Sequence, residues 1–548
     1  MGSFAYPRFP YRPTADARAG RVVEHETVVV GAGPVGLALA LDLAQRGRKV
    51  LLVDEDDTVS VGSRAICWSK RTLEIMDRLG VGERLLAKGV TWKVGRVFFR
   101  DREVYRFDLL PEEGHRMPAF VNLQQYYFEL FAVEAASAHP DIELRWKTRV
   151  TAVEPRRDGV LVTLGSPEGD YRIHCQWLLA CDGARSTVRR LLGLPFTGRV
   201  FRDRFLITDI HMEADFPSER WFWFEPPFHS GQSVLLHKQA DRIWRIDFQL
   251  GEEADPEEER KPERVEPRLR AMLGTERPFT IEWTSVYTFQ CRRLERFRHG
   301  RVIFAGDSAH QVSPFGARGG NSGIQDADNL AWKLALVLEG RAPESLLDSY
   351  DQERVLAADE NILHSTRSTS FISPKGEAAC AFRDAVLALA ERFPFAQRFV
   401  NSGRLSVPAV YDGSPLNSPE EDGFAQQLRP GSACLDAPVR HGGRAGWLLH
   451  HLGREFTLLF RPLREEEMRL EAAAMARALA DLPVAVAVKS IGGRGCDLED
   501  VQEMARTRYD LRPGTVYLVR PDQHVAARWR RFHPEPVRAA VLRAVGRG

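Results

Sequence analysis

Between residues 26 and 56 the chain reads ETVVVGAGPVGLALALDLAQRGRKVLLVDED. A β-branched run at 28–30 stops at glycine, an apolar stretch with helical continuity follows from about Pro34 to Gln45, and a second apolar run, Val50–Val53, ends on Asp54. This pattern predicts a strand–helix–strand unit. Residues 63–80 read as a loop entering a helix and 121–135 as a further helix, whereas 142–180 alternates as hairpin strands turning at Asp158-Gly159. The stretch 175–193 predicts a buried strand stopped by Asp182-Gly183. From about 200 to 290 the texture shifts to aromatic strands such as RWFWFEPPF and SVLLHKQADRIWRIDFQL. The charge run at 251–273 reads as a solvated helix and loop. GRVIFAGDSAH then returns to a buried strand and turn, and 343–400 is helical.

These shifts divide the chain into a flexible or surface-draped arm, 1–23, and a nucleotide-binding part, 24–199, with its return and helices at 298–400. An antiparallel-sheet substrate domain, 200–297, lies between them. A Pro/Gly/Ser-rich linker, 401–424, leads to a separate small α/β domain, 425–548. The expected fold class is therefore α/β, a Rossmann-like domain with an inserted sheet and a C-terminal appendage.

Bulk properties narrow the partners. With 76 Lys+Arg against 75 Asp+Glu in 548 residues, no electrostatic surplus asks for nucleic acid or an acidic membrane. No run approaches the ~20 apolar residues of a membrane span. The seven cysteines include no CxxC pair, which points to reduced thiols in a cytoplasmic protein and to no metal site.

The glycines carry the chemistry. Gly31, Gly33 and Gly36 stand in GxGxxG spacing with Pro34 and Val35 opening the helix. Gly31 serves the tight turn, Gly33 the approach of backbone N–H groups to a pyrophosphate, and Gly36 the helix–strand packing; Asp54 is placed for a ribose hydroxyl. A second cluster, GDSAHQVSPFGARGGNSGIQDADNLAWKL at 306–334, puts a glycine loop directly before an amphipathic helix closed by Gly340. No second GxGxxG is present.

GAGPVG at 31–36, CDGARSTVR at 181–189 and the 306–330 cluster, in this order, resemble the flavoprotein aromatic monooxygenases, single-component hydroxylases that bind FAD and are reduced by NADH or NADPH. The texture is similar to enzymes of the 3-(3-hydroxyphenyl)propionate hydroxylase type and their phenol and polyketide relatives. The resemblance implies that Gly31, Gly33, Pro34, Val35 and Gly36 hold the FAD pyrophosphate, and that Asp54 with Glu55 holds the adenosine ribose. It assigns Arg64 to the flavin and Gln125 to a further FAD contact. Asp182, Gly183 and Arg185 form a segment shared by FAD and a transiently bound NAD(P)H. Gly306 and Asp307 take the ribitol chain, and Pro314, Gly316, Gly319, Gly320 and Asn321 lie against the flavin ring. Ala317 and Arg318 stand where many relatives have glycine and glutamine, and Ile66 where phenol-type relatives have a carboxylate.

The implied reaction reduces FAD with NAD(P)H and hydroxylates a phenolic ring with O2 through a flavin C4a-hydroperoxide. A phenol with a pKa near ~10 needs a base or cation beside its oxygen, and His237, Tyr287, Arg245 and His229 are the candidates in the aromatic sheet. Arg202, Arg204 or Arg245 would serve a carboxylated substrate. The C-terminal domain resembles the family's thioredoxin-like appendage; without CxxC its expected role is structural or a dimer contact, in a monomer or homodimer. Two alternatives remain: a flavin-dependent halogenase, since WFWFEP at 221–226 imitates a W-x-W-x-x-P signature with Glu225 in an apolar position, and a non-catalytic flavin-binding protein.

Overall fold

The computed structural model describes residues 4–62, 64–400, 405–420, 422–425 and 428–548. The strand Val23–Val30 lies inside a sheet whose order is Arg298–His299, Val302–Phe304, Gly169–Ala180, Val23–Val30, Val50–Val53, Ile142–Arg145. From Val302–Phe304 to Ile142–Arg145 every pairing is parallel, and where helices cover both faces the strands are continuous apolar runs without alternation, as at 28–30, 50–53, 177–180 and 302–304, while the edge strand Ile142–Arg145 exposes Glu143. The first half of Gly169–Ala180 also pairs antiparallel with Val160–Ser166, which in turn pairs antiparallel with Arg149–Pro155 to form the hairpin expected around Asp158-Gly159. The Pro34–Gln45 helix packs between Gln125–Ala138 and the long helix Gly319–Leu338, which explains why nearly all its length is buried.

A second sheet of eight strands runs His310–Gln311, Thr280–Arg293, Thr197–His211, Ile243–Leu250, Ser233–Lys238, Arg220–Phe224, Val94–Phe99, Arg102–Asp108. It is antiparallel except where Arg220–Phe224 runs parallel to Val94–Phe99. It is thus wider than the expected 200–297 block, because Val94–Phe99 and Arg102–Asp108 come from the 24–199 stretch. The charge run contains the helix Pro262–Leu273, which buries Val265 and Leu269 at i, i+4 spacing under this sheet and leaves Glu263 and Glu266 outside.

The arm and the linker are both packed against the domains. In the arm, Phe9 stacks on Trp146 with ring centroids 4.5 Å apart, Phe4 stacks on Tyr126 at 4.2 Å, and Asp16 pairs with Arg145 and His25, each at 2.7 Å. It is draped, not free. Of the 401–424 linker, positions 401–404 and 421 lie outside the described residues; the rest is a strap whose Leu405, Ala409, Tyr411 and Leu416 are buried. The Tyr411 hydroxyl accepts from Arg354 at 2.9 Å.

The C-terminal domain has a seven-stranded sheet in which Phe456–Phe460 lies between Val486–Gly492, parallel to it, and Val516–Val519, antiparallel to it. The helices Met468–Leu479 and Pro534–Ala544 cover one apolar face, a thioredoxin-like arrangement. Buried charges join it to the nucleotide-binding domain. Glu353 accepts from Arg520 at 2.6 and 3.0 Å, from Lys333 at 2.7 Å and from the Ser414 hydroxyl at 2.6 Å. Arg71 reaches Asp328 at 3.0 Å and the Asp522 carbonyl at 2.8 Å. Burial alone would raise the Glu353 carboxyl, but Arg520 and Lys333 outweigh it and hold it well below the carboxylate range. Lys333 falls to about 8, because burial outweighs Glu353.

Candidate active site

At the C-terminal edge of the parallel sheet, three glycine-bearing segments converge. Gly31 has φ +101°, and a Cβ there would lie 2.6 Å from the Cys181 carbonyl oxygen. A Cβ on Gly36 would fall 1.9 Å from the Gly31 carbonyl oxygen. Gly33 differs: its nearest such neighbour is Glu129 Oε1 at 3.9 Å, so the space beside it is open to a ligand. Gly33 also caps the Pro34–Gln45 helix without any side-chain hydrogen bond, which leaves the first N–H groups and the positive end of the dipole for an anion. Asp54 accepts from the Ala32 and Asp56 N–H groups at 2.6 and 2.9 Å; burial, with Asp56 and Glu55 adding, pushes it up to about 6. Glu55 beside it is exposed.

Val35 connects this turn to the 306–334 cluster. Its Cγ2 would meet a Cβ on Gly306 at 2.9 Å and one on Gly323 at 2.6 Å, so both glycines are needed for the helices to close on it. Asp326 organises the same corner, accepting from the Gly306 N–H at 2.8 Å, His310 at 2.7 Å and Arg354 at 2.6 Å. Asp307 is exposed at this corner, although the protein packed around it still withholds enough solvent to raise its carboxyl. The helix Gly319–Leu338 starts without a side-chain cap and without an acid in its first turn, so its N–H groups are available beside Gly319 and Gly320. Asn321 does something else: its amide donates to the Cys67 and Ala317 carbonyls and accepts from the Ser69 N–H at 2.9 Å, tying the helix to the strand Cys67–Ser69.

Gln125 accepts from the Ala65 N–H at 3.1 Å and donates to Ser60 and Glu129, which places it under the 60–66 loop. Arg64 on that loop is exposed, and its carbonyl accepts from Arg245 at 2.8 Å. The Tyr6 hydroxyl accepts from the Gly62 N–H at 3.0 Å, so the arm also fastens this loop. Asp182 accepts from the Val188 N–H at 2.9 Å, Gly183 has φ +72° with open space around it, and Arg185 is exposed.

The second sheet turns one face toward the 60–69 loop. Register aligns Gly95, Arg220, His237, Arg245, Asp209 and Trp283 in a single transverse row on that face. Arg245 binds both carboxylate oxygens of Asp209, at 2.8 and 3.2 Å. His237 is buried, with Nδ1 4.0 Å from Cys67 Sγ, and burial together with Arg220 and Arg245 lowers it well below the usual imidazole range. Two residues further along, Asp247 is raised to about 6 by burial. Tyr287 pairs with Phe205 at the border of the apolar cluster. His229 binds the Gln249 carbonyl at 2.7 Å and packs on Phe248, away from this row. Arg204 is turned to the Ala254 carbonyl and Arg202 is exposed.

Between this face and the glycine loop is a cavity of about 560 Å³, counting its part open to solvent. Phe107, Phe222, Phe224, Phe315, Arg220 and Arg318 are among the residues lining it. The 221–226 stretch divides by strand alternation: Trp221 and Trp223 pack on the outer side, and Phe222 and Phe224 face the cavity.

The family model described as FAD binding domain matches residues 24–365. The chain belongs to this FAD-binding family. Curated relatives include 3-(3-hydroxy-phenyl)propionate/3-hydroxycinnamic acid hydroxylases. That of Escherichia coli is 30% identical over 401 residues, 72% of this chain and 71% of the relative. That of Mycolicibacterium smegmatis is 29% identical over 396 residues, 71% and 69% of the two chains. The flavin-dependent monooxygenase PieE, solved with FAD and substrate, superposes with TM-score 0.81 over 96% of this chain and 100% of its own at 24% identity, a likeness of fold. p-Nitrophenol 4-monooxygenase from Pseudomonas putida superposes with TM-score 0.62 over 70% and 99% at 26% identity.

This member of the FAD-binding family is a flavoprotein monooxygenase of the single-component aromatic hydroxylase type. Open space beside Gly33 and Gly183, two uncapped helix N-termini and an exposed Asp307 fit FAD. Among the described residues no group of three or more His, Cys, Asp or Glu could hold a metal, and no helix is long and apolar enough to cross a membrane. The sequence reading passed over Arg220, Asp247 and Cys67. The strands containing Arg220 and Asp247 were legible, but which strands neighbour one another was not, and only cross-strand register gathers these side chains on one face.

Proposed function

We propose that the protein uses NADH or NADPH and O2 to hydroxylate a phenolic aromatic ring held in the cavity. The observation that supports this reading is the wall shared by the aromatic-lined cavity and the glycine loop, Phe315 and Gly316. Bound FAD would supply the redox chemistry, taking a hydride from the nicotinamide and delivering one oxygen atom from O2 to the ring. In this reading the N–H groups after Gly33 and at Gly319–Gly320 receive the pyrophosphate and the flavin edge, and Asp54 and Asp307 receive the ribose and ribitol hydroxyls. Gln125 holds the 60–66 loop, and with it Arg64, in place. Arg185, exposed beside Gly183, is the contact for the transient nicotinamide cofactor. The phenylalanines lining the cavity keep water from the reacting ring.

The sheet residues take different roles. His237 is too weak a base to take the proton of an ordinary phenol: with the imidazole below 6.5 and the phenol near ~10, transfer is uphill by more than about 5 kcal/mol. It serves as a neutral hydrogen-bond acceptor, and ring activation falls to a cation beside the phenol oxygen. Arg245, held by Asp209 and the Arg64 carbonyl, is a positioning residue, and Tyr287 packs the far end of the face. The test is oxidation of NADH and NADPH by the purified yellow protein across hydroxylated aromatics, with product mass recorded. Phenol-dependent oxidation with a gain of one oxygen is expected; if no phenol stimulates oxidation or gains oxygen, the proposal fails.

A further inference from the structure

We propose that the cavity recognises an anionic oxygen on its aromatic substrate, a carboxylate or a phenolate, and that Arg220 is the residue that selects it. The inference rests on the reading of this cavity as the substrate site. The cavity lining contains three guanidinium groups, those of Arg96, Arg220 and Arg318, and no carboxylate. Arg96 is engaged by Glu219 and Glu103. Arg220 is only 8% exposed, its Nη1 is shut off from solvent, and among the described residues its guanidinium makes no hydrogen bond or ion pair.

Its neighbours in the row do not neutralise it. Arg245 is cancelled by Asp209, and His237 is uncharged. Asp247 lies near enough to act on Arg220 electrostatically, yet it forms no ion pair with it and is itself pushed up to about 6 by burial. The Arg220 guanidinium is thus buried beside Phe222, Phe224 and Phe107 with no hydrogen bond or ion pair of its own, Asp247 acting on it only at a distance, a situation that is strongly unfavourable unless something outside the chain completes it. The planar guanidinium matches a carboxylate by two parallel hydrogen bonds and a phenolate by one, and a neutral amide cannot supply the missing charge.

The experiment titrates the FAD-loaded protein with non-reacting probes, following flavin absorption: benzoate and 3-phenylpropionate against benzamide and 3-phenylpropionamide. The wild type is expected to bind the acids roughly 10–100-fold more tightly than the amides, the range of a charge-assisted hydrogen bond. Arg220→Gln should abolish the preference while leaving FAD content and amide affinity unchanged, and Arg220→Lys should retain part of it. Removing an unpaired buried charge should also raise the thermal midpoint of R220M in the absence of probe, and benzoate should stabilise the wild type alone. If the phenolate is the partner, acids and amides bind alike. In that case 3-hydroxybenzamide shows phenolate absorbance below its free pKa in the wild type and not in R220Q. The inference is overturned if the wild type shows neither the acid preference nor the phenolate band, or if R220Q keeps whichever of the two the wild type shows. Binding is read without turnover, so failure of hydroxylation and failure of Arg220 recognition are separate results.

Discussion

Replacing Gly323 by alanine sets two effects of known size against each other. Gly323 lies in the first turns of the Gly319–Leu338 helix, where alanine is preferred to glycine by about 1 kcal/mol. The new Cβ, however, would stand 2.6 Å from Val35 Cγ2 and 3.1 Å from the Gly306 Cα. The first neighbour is a methyl on a stiff β-branched side chain and the second is backbone, so the helix N-terminus must retreat by a few tenths of an ångström. Such overpacking costs about 1–3 kcal/mol and outweighs the propensity gain. If this N-terminus receives the flavin edge as proposed, the net loss of up to about 2 kcal/mol should appear as weaker FAD binding, up to roughly 30-fold at about 1.4 kcal/mol per factor of ten. Fluorescence titration of the apoprotein with FAD, beside chemical unfolding, measures both quantities. Val35→Ala in the same chain removes the nearer clash, and the pair should couple favourably by about 1–2 kcal/mol. The reasoning is refuted if G323A binds FAD as tightly as wild type and is more stable by the full propensity gain, or if V35A gives no relief.

Three further outcomes follow from the buried charges. Glu353→Gln removes a partner of both Lys333 and Arg520 and should destabilise the junction with the C-terminal domain by ~3–5 kcal/mol, with K333M in the same chain recovering part; unfolding within ~1 kcal/mol of wild type would contradict it. Asp247 is raised to about 6, so the folded state holds more protons than the unfolded one between the ordinary aspartate value and that pH, and stability falls as pH rises through the window. D247N should therefore be more stable than wild type by roughly 2–3 kcal/mol at pH 8 and equal to it near pH 4, as unfolding at both pH values will show. Arg245→Met should destabilise strongly by leaving Asp209 unpaired in the sheet, and R245M/D209N should restore the fold; loss of hydroxylation in the restored protein would give Arg245 a role in the reaction beyond the pair.

How much of this was legible can be seen element by element. The Val23–Val30 strand, the Pro34–Gln45 helix and Val50–Val53 follow directly from local pattern, since a strand buried on both faces must be continuously apolar and a dinucleotide turn must be glycine. The amphipathic helix expected after the glycine loop is Gly319–Leu338, and its first turn begins within the glycine cluster itself. For the arm and the linker the sequence left open how each is held, because Pro, Gly and Ser describe local backbone freedom, whereas Phe9 on Trp146 and Tyr411 under Arg354 are contacts with distant chain. His237 was picked out as a polar residue in an apolar strand; that its imidazole is a weak base depends on its burial in the folded sheet and then on Arg220 and Arg245, which come from two other strands.

The division has a physical basis. The sequence by itself determined what the backbone must do within a few residues: the turn at Gly31, the helices that start beside open N–H groups, the order of the three motifs, and so the cofactor class. Tertiary structure alone decided what meets across strands and between domains: the Arg220–His237–Arg245–Asp209 row, the Arg220 guanidinium left without an ion pair in the cavity wall, and the Glu353 junction. Backbone preferences act over one or two turns and leave a mark in composition. Charge interactions and close packing depend on distances that only the completed fold sets.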